Sequence, residues 1–329
     1  MSNLLFNQLK EQFIGKKGTE KRIRFDAEVE SVLSRVKELK TNHVKEIPDG
    51  LMPNTVYRYE NWNDSKPYTK RLMTEREVYI ANPKKDFNTE GHYEECRLPR
   101  RYDLVVNNIS YIKNLILSEV ASGENHYVPP ESENELDQLT LILQDNLKNH
   151  TETEEEVYEK RYKKIGIFCT SNSKKNLRLW EWKGDGKGYC VGFKTSELLK
   201  YKDFFGICGE IDYYTPDNQP VILPVYPFIQ EKKLQNPIIT EVFSIPKEHF
   251  EEEDEYRFFN CKDGKPYNYT DEGRKKVLPE SAFSELIISH QMPPKNRKEL
   301  LECAARTMPN VPIFEAKIIN PNVEFTRIK

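Results

Sequence analysis

The stretch Ile165–Tyr214, IGIFCTSNSKKNLRLWEWKGDGKGYCVGFKTSELLKYKDFFGICGEIDYY, decides the fold class. Its short aromatic or β-branched runs, IGIFCTS, GYCVGF and GEIDYY, are punctuated by Gly, Asn and charged residues, the pattern of strands joined by turns. The runs VILPVYPFI (221–229), DEYRFF (254–259) and ELIISH (285–290) continue the texture, so the C-terminal half reads as mostly sheet. Small helices near Ser196–Tyr201 and Asn296–Thr307 interrupt it, and FEAKIIN (314–320) adds a last strand.

Upstream the period changes. Leu5, Leu9 and Phe13 recur every four residues between a capping Ser2 and a terminating Gly15. Asp26 is placed to cap a second helix whose stripe is Val29, Val32, Leu33, Val36 and Leu39, ending near Asn42. TVYRYE (55–60) and EVYIANP (77–83) read as strands, the second stopped by Pro83. Helical patterns follow over Asp103–Val120 and Ser132–Asn149 and in the acid-to-base run TETEEEVYEKRYKK (151–164). The expected fold is α+β: a helical N-terminal part, then a mostly antiparallel sheet, open to a split arrangement, with packed helices and no regular βαβ alternation. Residues 1–45 are expected to form a helical appendage that packs on the body, on another protomer or on a partner protein, with 46–329 as the core domain.

Of 329 residues, 31% are charged, yet the chain also carries 18 Tyr, 16 Phe and 3 Trp, which implies an aromatic core under a highly charged surface. A formal net charge of -3 gives no mean field toward nucleic acid or acidic lipid. The six cysteines form no C-x-x-C pair, which points to reduced thiols in a cytosolic protein, and no metal is expected. No apolar run approaches the ~18 residues of a membrane span. The Walker, dinucleotide-fingerprint, zincin and nucleophile-elbow signatures are missing too.

EEEDEYRFF (251–259) is the most distinctive stretch. As a strand it aligns Glu253, Glu255 and Arg257 on one face, with Tyr256 and Phe258 on the other. Two convergent carboxylates suit glycosyl transfer, where they bind a sugar hydroxyl and steady positive charge at an anomeric carbon. A charged edge strand held by a Glu–Arg pair explains the same spacing. Arg58, between Tyr57 and Tyr59, suits recognition of a phosphate or carboxylate, or is a surface arginine stacked on tyrosine. Trp180 and Trp182 could wall a base or a nicotinamide ring, or pack in the core. Gly184–Gly188, GDGKG, is an anion cradle or simply a turn.

The order of several segments resembles the bacterial family named domain of unknown function 2971: VYRYE (56–60), YIANP with DFNTE (79–90), GIFCTS (166–171), LW then GKGYCVGF (179–193), GEIDYY (209–214) and EDEYRFF (253–259). These span roughly residues 50 to 290. That family is in turn similar to the ADP-ribosyltransferase superfamily, whose pockets use an Arg or His on an early strand, a small polar residue on a middle strand and a Glu on a late one. The resemblance implies that Arg58, flanked by Tyr57, holds a phosphate or ribose of NAD, and that Tyr79, Ala81 and Asn82 lie on the middle strand. Glu255 would accept from the nicotinamide ribose, Glu253 would orient or deprotonate an acceptor, and Trp180 would stack. It further implies an NAD-consuming ADP-ribosyltransferase or NAD glycohydrolase of bacterial cytosol, a toxin or phage-defence effector acting on a protein or nucleic acid. Two readings from other classes stand beside it: a non-catalytic interaction module, and a nucleic-acid-processing enzyme in which Asp86, Glu253 and Glu255 hold a divalent metal.

Overall fold

The computed structural model describes residues 2–38, 52–62, 67–86, 106–122, 128–152, 164–220, 237–261, 269–319 and 321–329. The chain divides into two compact units, one of residues 1–43, 97–159 and 216–241, the other of 44–96, 160–215 and 242–329.

The first unit is helical. Helix Ser2–Ile14 ends at Gly15, whose φ of 105° is open to glycine at little cost. The second helix runs Glu20–Glu38 and starts six residues before the expected Asp26 cap. Asp26 is drawn away from the backbone by Arg22, one turn earlier, whose Nε donates to it over 2.9 Å, and by Lys10 at 3.4 Å. Helices Ile109–Ser122 and Glu133–Glu152 complete the unit, started by Asn108 and Ser132, whose side chains accept from Tyr111 N and Glu135 N. Leu9, Phe13, Val29 and Val32 share one buried cluster with Ile112, Ile116, Leu117, Leu136 and Leu147. Leu9, Phe13, Val29 and Val32 of the N-terminal pair are thus covered within the chain, while Leu5 stays 44% exposed. The helical unit is larger than the expected 1–45 appendage, because its later helices return to it after residues 55–86 have entered the other unit. The run expected helical over 151–164 and the strand expected over 221–229 lie largely or wholly outside the described residues.

The second unit is built on an eight-stranded sheet. Its strands are β1 (Thr55–Glu60), β3 (Ile165–Ser171), β4 (Tyr189–Lys194), β5 (Ile207–Glu210), β8 (Glu255–Cys261), β10 (Phe283–Ser289), β11 (Ile313–Ile319) and β12 (Asn322–Arg327). They lie in the order β12-β11-β10-β4-β1-β3-β8-β5, antiparallel except for β10 beside β11, whose crossover is the helix Pro294–Thr307. β2 (Glu77–Tyr79) pairs with β9 (Lys275–Val277), and β6 (Asp212–Tyr214) with β7 (Ser244–Pro246), as separate ribbons. The class is therefore α+β with a large, mostly antiparallel sheet.

Alternation sorts the two faces. One buries Val56, Phe168, Val191, Phe193, Tyr256, Phe258, Leu286 and Ile288 under Phe205, Leu72 and Met73. Here Phe168 meets Phe193 and Phe205 with ring centroids 5.7 and 5.5 Å apart, the aromatic core that the composition implies. The opposite face carries Tyr59, Cys190 and Ile287 beneath Leu179 and Trp180 of the helix Leu177–Trp182. No helix among the described residues is long and apolar enough to cross a membrane.

Candidate functional site

Three neighbouring strands set out a polar row on the second face. Tyr57 of β1 pairs with Ser171 of β3, and Ser171 pairs with Glu255 of β8. Residues directly opposite on a ladder share a face, so Tyr57, Ser171 and Glu255 lie side by side. Arg58, one residue along, points to the other side. Its guanidinium lies 5.0 Å from the Phe168 ring and its Nε donates to Glu60 over 2.6 Å. The expected meeting of Arg58 and Glu255 around one ligand therefore does not occur. The register aligns Glu255 with Tyr57 instead, and a single-residue offset sends a side chain to the opposite face.

Glu255 is 6% exposed and forms a bidentate pair with Arg257, Nε to Oε1 at 2.7 Å and Nη2 to Oε2 at 2.8 Å. Arg257 also donates to the Val242 carbonyl, and the Glu255 N–H donates to the Tyr213 hydroxyl over 2.9 Å. Burial first, and the Glu255 carboxylate second, push the neighbouring Cys169 thiol up. The edge-strand explanation of this charge pattern does not apply, since β8 lies between β3 and β5.

Glu253 is outside the strand. It ends a short 3₁₀ turn, Glu251–Glu253, and Asp254, at φ 47°, breaks the alternation before β8 begins. The turn is nonetheless tied to the row: Ser171 Oγ donates to the Glu253 carbonyl at 3.0 Å and accepts from Ser173 N at 3.2 Å. Asn176, which caps the helix Leu177–Trp182, also donates to the Glu252 carbonyl at 2.6 Å. The Glu253 side chain is left 9% exposed, and its carboxyl is pushed up to about 7, mainly by burial and then by the negative charge of Glu255, against the opposing pull of Lys183, Arg257 and Arg178.

On the far side of Tyr57, Gly192 of β4 leaves a gap across which the Tyr57 hydroxyl donates to Glu285 Oε1 at 2.9 Å. A Cβ at Gly192 would meet Glu285 Cγ at 3.1 Å and crowd Ser284 as well. Lys174 closes the cluster with Nζ at 3.0 and 2.9 Å from the two Glu285 oxygens. Burial and the Glu285 charge raise the Tyr57 hydroxyl, so it stays a donor.

The other expected site residues lie elsewhere. Tyr79 and Asn82 sit beside Ala81, which bridges Ile167, four residues along β3 from Ser171 and so about 13 Å away along the strand. Both serve a local turn: the Tyr79 hydroxyl, pushed up to about 12 by burial and by Asp86, bonds Asp86 at 3.2 Å, and the Asn82 N–H bonds it at 2.7 Å. Asp86 is thereby at this distant end, apart from Glu253 and Glu255, and among the described residues no group of three or more His, Cys, Asp or Glu is placed to hold a metal ion. Trp180 is fully buried, edge-on to Tyr59 at 5.2 Å, with its indole N–H on the Lys174 carbonyl at 3.0 Å, so it supports the site from within rather than stacking on a ligand. In GDGKG, the amides of Gly184, Gly186 and Lys187 donate to the carbonyls of Leu179, Trp180 and Gly184, which makes the segment a turn and not an anion cradle.

Ser171, Lys174 and Glu285 escape a reading of the sequence. Ser171 carried one signal, a small polar residue closing a buried strand. Replacing it with Ala removes its bonds to the Glu253 carbonyl and to Ser173 N, and the expected loss is about 1–3 kcal/mol in urea unfolding. A loss under ~0.5 kcal/mol would mean that the bonds from Asn176 to the Glu252 carbonyl and from Asn172 N to the Asp254 carbonyl hold the turn without Ser171.

No family model, curated protein or solved structure matches the chain.

Proposed function

We propose that the protein breaks the N-glycosidic bond of NAD and passes ADP-ribose to a protein or nucleic-acid acceptor, or to water. The carrying observation is the pair of buried carboxyls with different surroundings. Glu255 is clamped by Arg257, while Glu253 is pushed up to about 7. A carboxyl that holds its proton near neutrality beside one held in an ion pair is the usual arrangement for dividing acid–base and electrostatic roles. As the C1′–N bond breaks, nicotinamide leaves with the bonding electrons. Glu255 then steadies the oxocarbenium-like ribose, and Glu253 takes the proton of the incoming nucleophile. The resemblance to domain of unknown function 2971 and to ADP-ribosyltransferases supports the same chemistry, with Tyr57 rather than Arg58 on the ligand side. It adds a bacterial toxin or phage-defence setting.

The test is nicotinamide release from NAD by wild type and Glu253→Gln. This variant leaves the Glu255–Arg257 pair intact, which Glu255→Gln does not. A 10²–10⁴-fold loss is expected at pH 7 with an unchanged circular dichroism spectrum. Equal turnover removes the proposal.

One observation favours a second reading, an interaction module without chemistry: both Glu255 oxygens are already bonded to Arg257, so the pair is satisfied without a ligand and would serve to lock β8. Under that reading, no acceptor or partner elicits nicotinamide release.

A further inference from the structure

The helix Leu177–Trp182 ends in an exposed aromatic residue ringed by cations. Trp182 is 40% exposed, with Lys183 Nζ 4.0 Å and Arg178 Cζ 5.6 Å from its ring. Arg178 pairs with Glu252 in the Glu251–Glu253 turn, and both Lys183 and Arg178 act on the Glu253 carboxyl, so this rim borders the buried pair. It is firmly mounted. Trp180 of the same helix is fully buried, and Asn176 bonds both Leu179 N and the Glu252 carbonyl.

We infer that Trp182, Lys183 and Arg178 form a binding site for a nucleoside diphosphate, the base lying on the indole and the two cations meeting the phosphates. The choice of ligand rests on the glycosyl-transfer reading, which it deepens by placing the nucleotide end of the substrate. Arg178 pairs with Glu252 at 3.0 Å, but the side chains are 40% and 73% exposed, so the pair is worth little and yields to a doubly charged phosphate group. Lys183 holds the ring only by an exposed cation–π contact, weaker than base–aromatic stacking, and its flexible stem lets the ammonium swing onto a phosphate. The rim thus supplies the anion contact that Arg58, on the other face of the sheet, does not.

ADP binding to the full chain, measured by calorimetry at pH 8, tests this against adenosine. Wild type should bind ADP, and both Trp182→Ala and the double variant Arg178→Ala/Lys183→Ala should weaken it about tenfold or more. The double variant should leave adenosine unaffected, whereas Trp182→Ala should weaken both ligands. All of these side chains are partly exposed, so the fold is retained. Failure of wild type to bind ADP, or wild-type ADP affinity in both rim variants, overturns the inference. ADP binding lost in the rim variants, with no nicotinamide release by wild type, keeps the site and removes the enzyme. Nicotinamide release with rim variants that bind ADP normally does the reverse.

Discussion

Arg257→Met is expected to lower the free energy of unfolding by about 3–5 kcal/mol, the cost of leaving one member of a buried ion pair without its partner. Glu255 is 6% exposed and both its oxygens are bonded to Arg257, so water cannot take over the guanidinium's place. The double variant Glu255→Leu/Arg257→Met should recover most of that loss, because replacing the whole pair by apolar groups also removes the cost of desolvating two charges. Urea midpoints at constant slope measure both. If the single and double variants are equally unstable, the loss comes from packing around β8 and not from a stranded charge.

Glu253→Gln is expected to stabilise the protein in a pH-dependent way. The Glu253 carboxyl rises from an ordinary 4.5 to about 7 in the folded state, so the folded protein binds its proton more tightly than the unfolded chain does. Below pH 4.5 both states are protonated and the carboxyl costs nothing. As pH climbs to 7 the unfolded chain ionises first, folding becomes progressively less favourable, and above 7 the full penalty of about 3 kcal/mol applies. Glutamine is neutral throughout. Its melting temperature should match wild type at pH 4.5 and exceed it by several degrees at pH 8. A difference that is the same at both pH values would show that Glu253 is not held in a proton-retaining environment. The same rise gives the proposed reaction a direction: turnover should increase through pH 7 as Glu253 becomes able to accept a proton.

Much of the sheet was legible in the sequence. TVYRYE, IGIFCTS, GYCVGF, DEYRFF and ELIISH all lie in its strands, because each carries its own aromatic or β-branched alternation. The second β-like run was less legible. Only Glu77–Tyr79 of EVYIANP enters a ladder, and that ladder belongs to a separate ribbon with β9. The alternation of TVYRYE as a strand is enough to put Arg58 on the other face from Tyr57 and Tyr59. What it could not show was the register of β1 against β3 and of β3 against β8, which depends on pairing between segments more than 80 residues apart. That register decides whether Tyr57 or Arg58 stands in line with Glu255. Glu253 was assigned to the right neighbourhood for the wrong reason: the left-handed backbone of Asp254 ends the alternation, and the residue arrives from a turn. Glu285 meets Tyr57, and Lys174 meets Glu285, only after β10 and the segment following β3 are brought together by the fold.

With β3 on one edge and β5 and Ile211 on the other, the Glu255 end of β8 has no open edge for a newcomer. In the proposed reaction, a polypeptide or nucleic-acid acceptor would therefore not reach the two carboxyls by adding itself as a strand alongside them. It must descend from above the sheet and present a single projecting group, which favours an exposed side chain or a splayed base over an extended peptide.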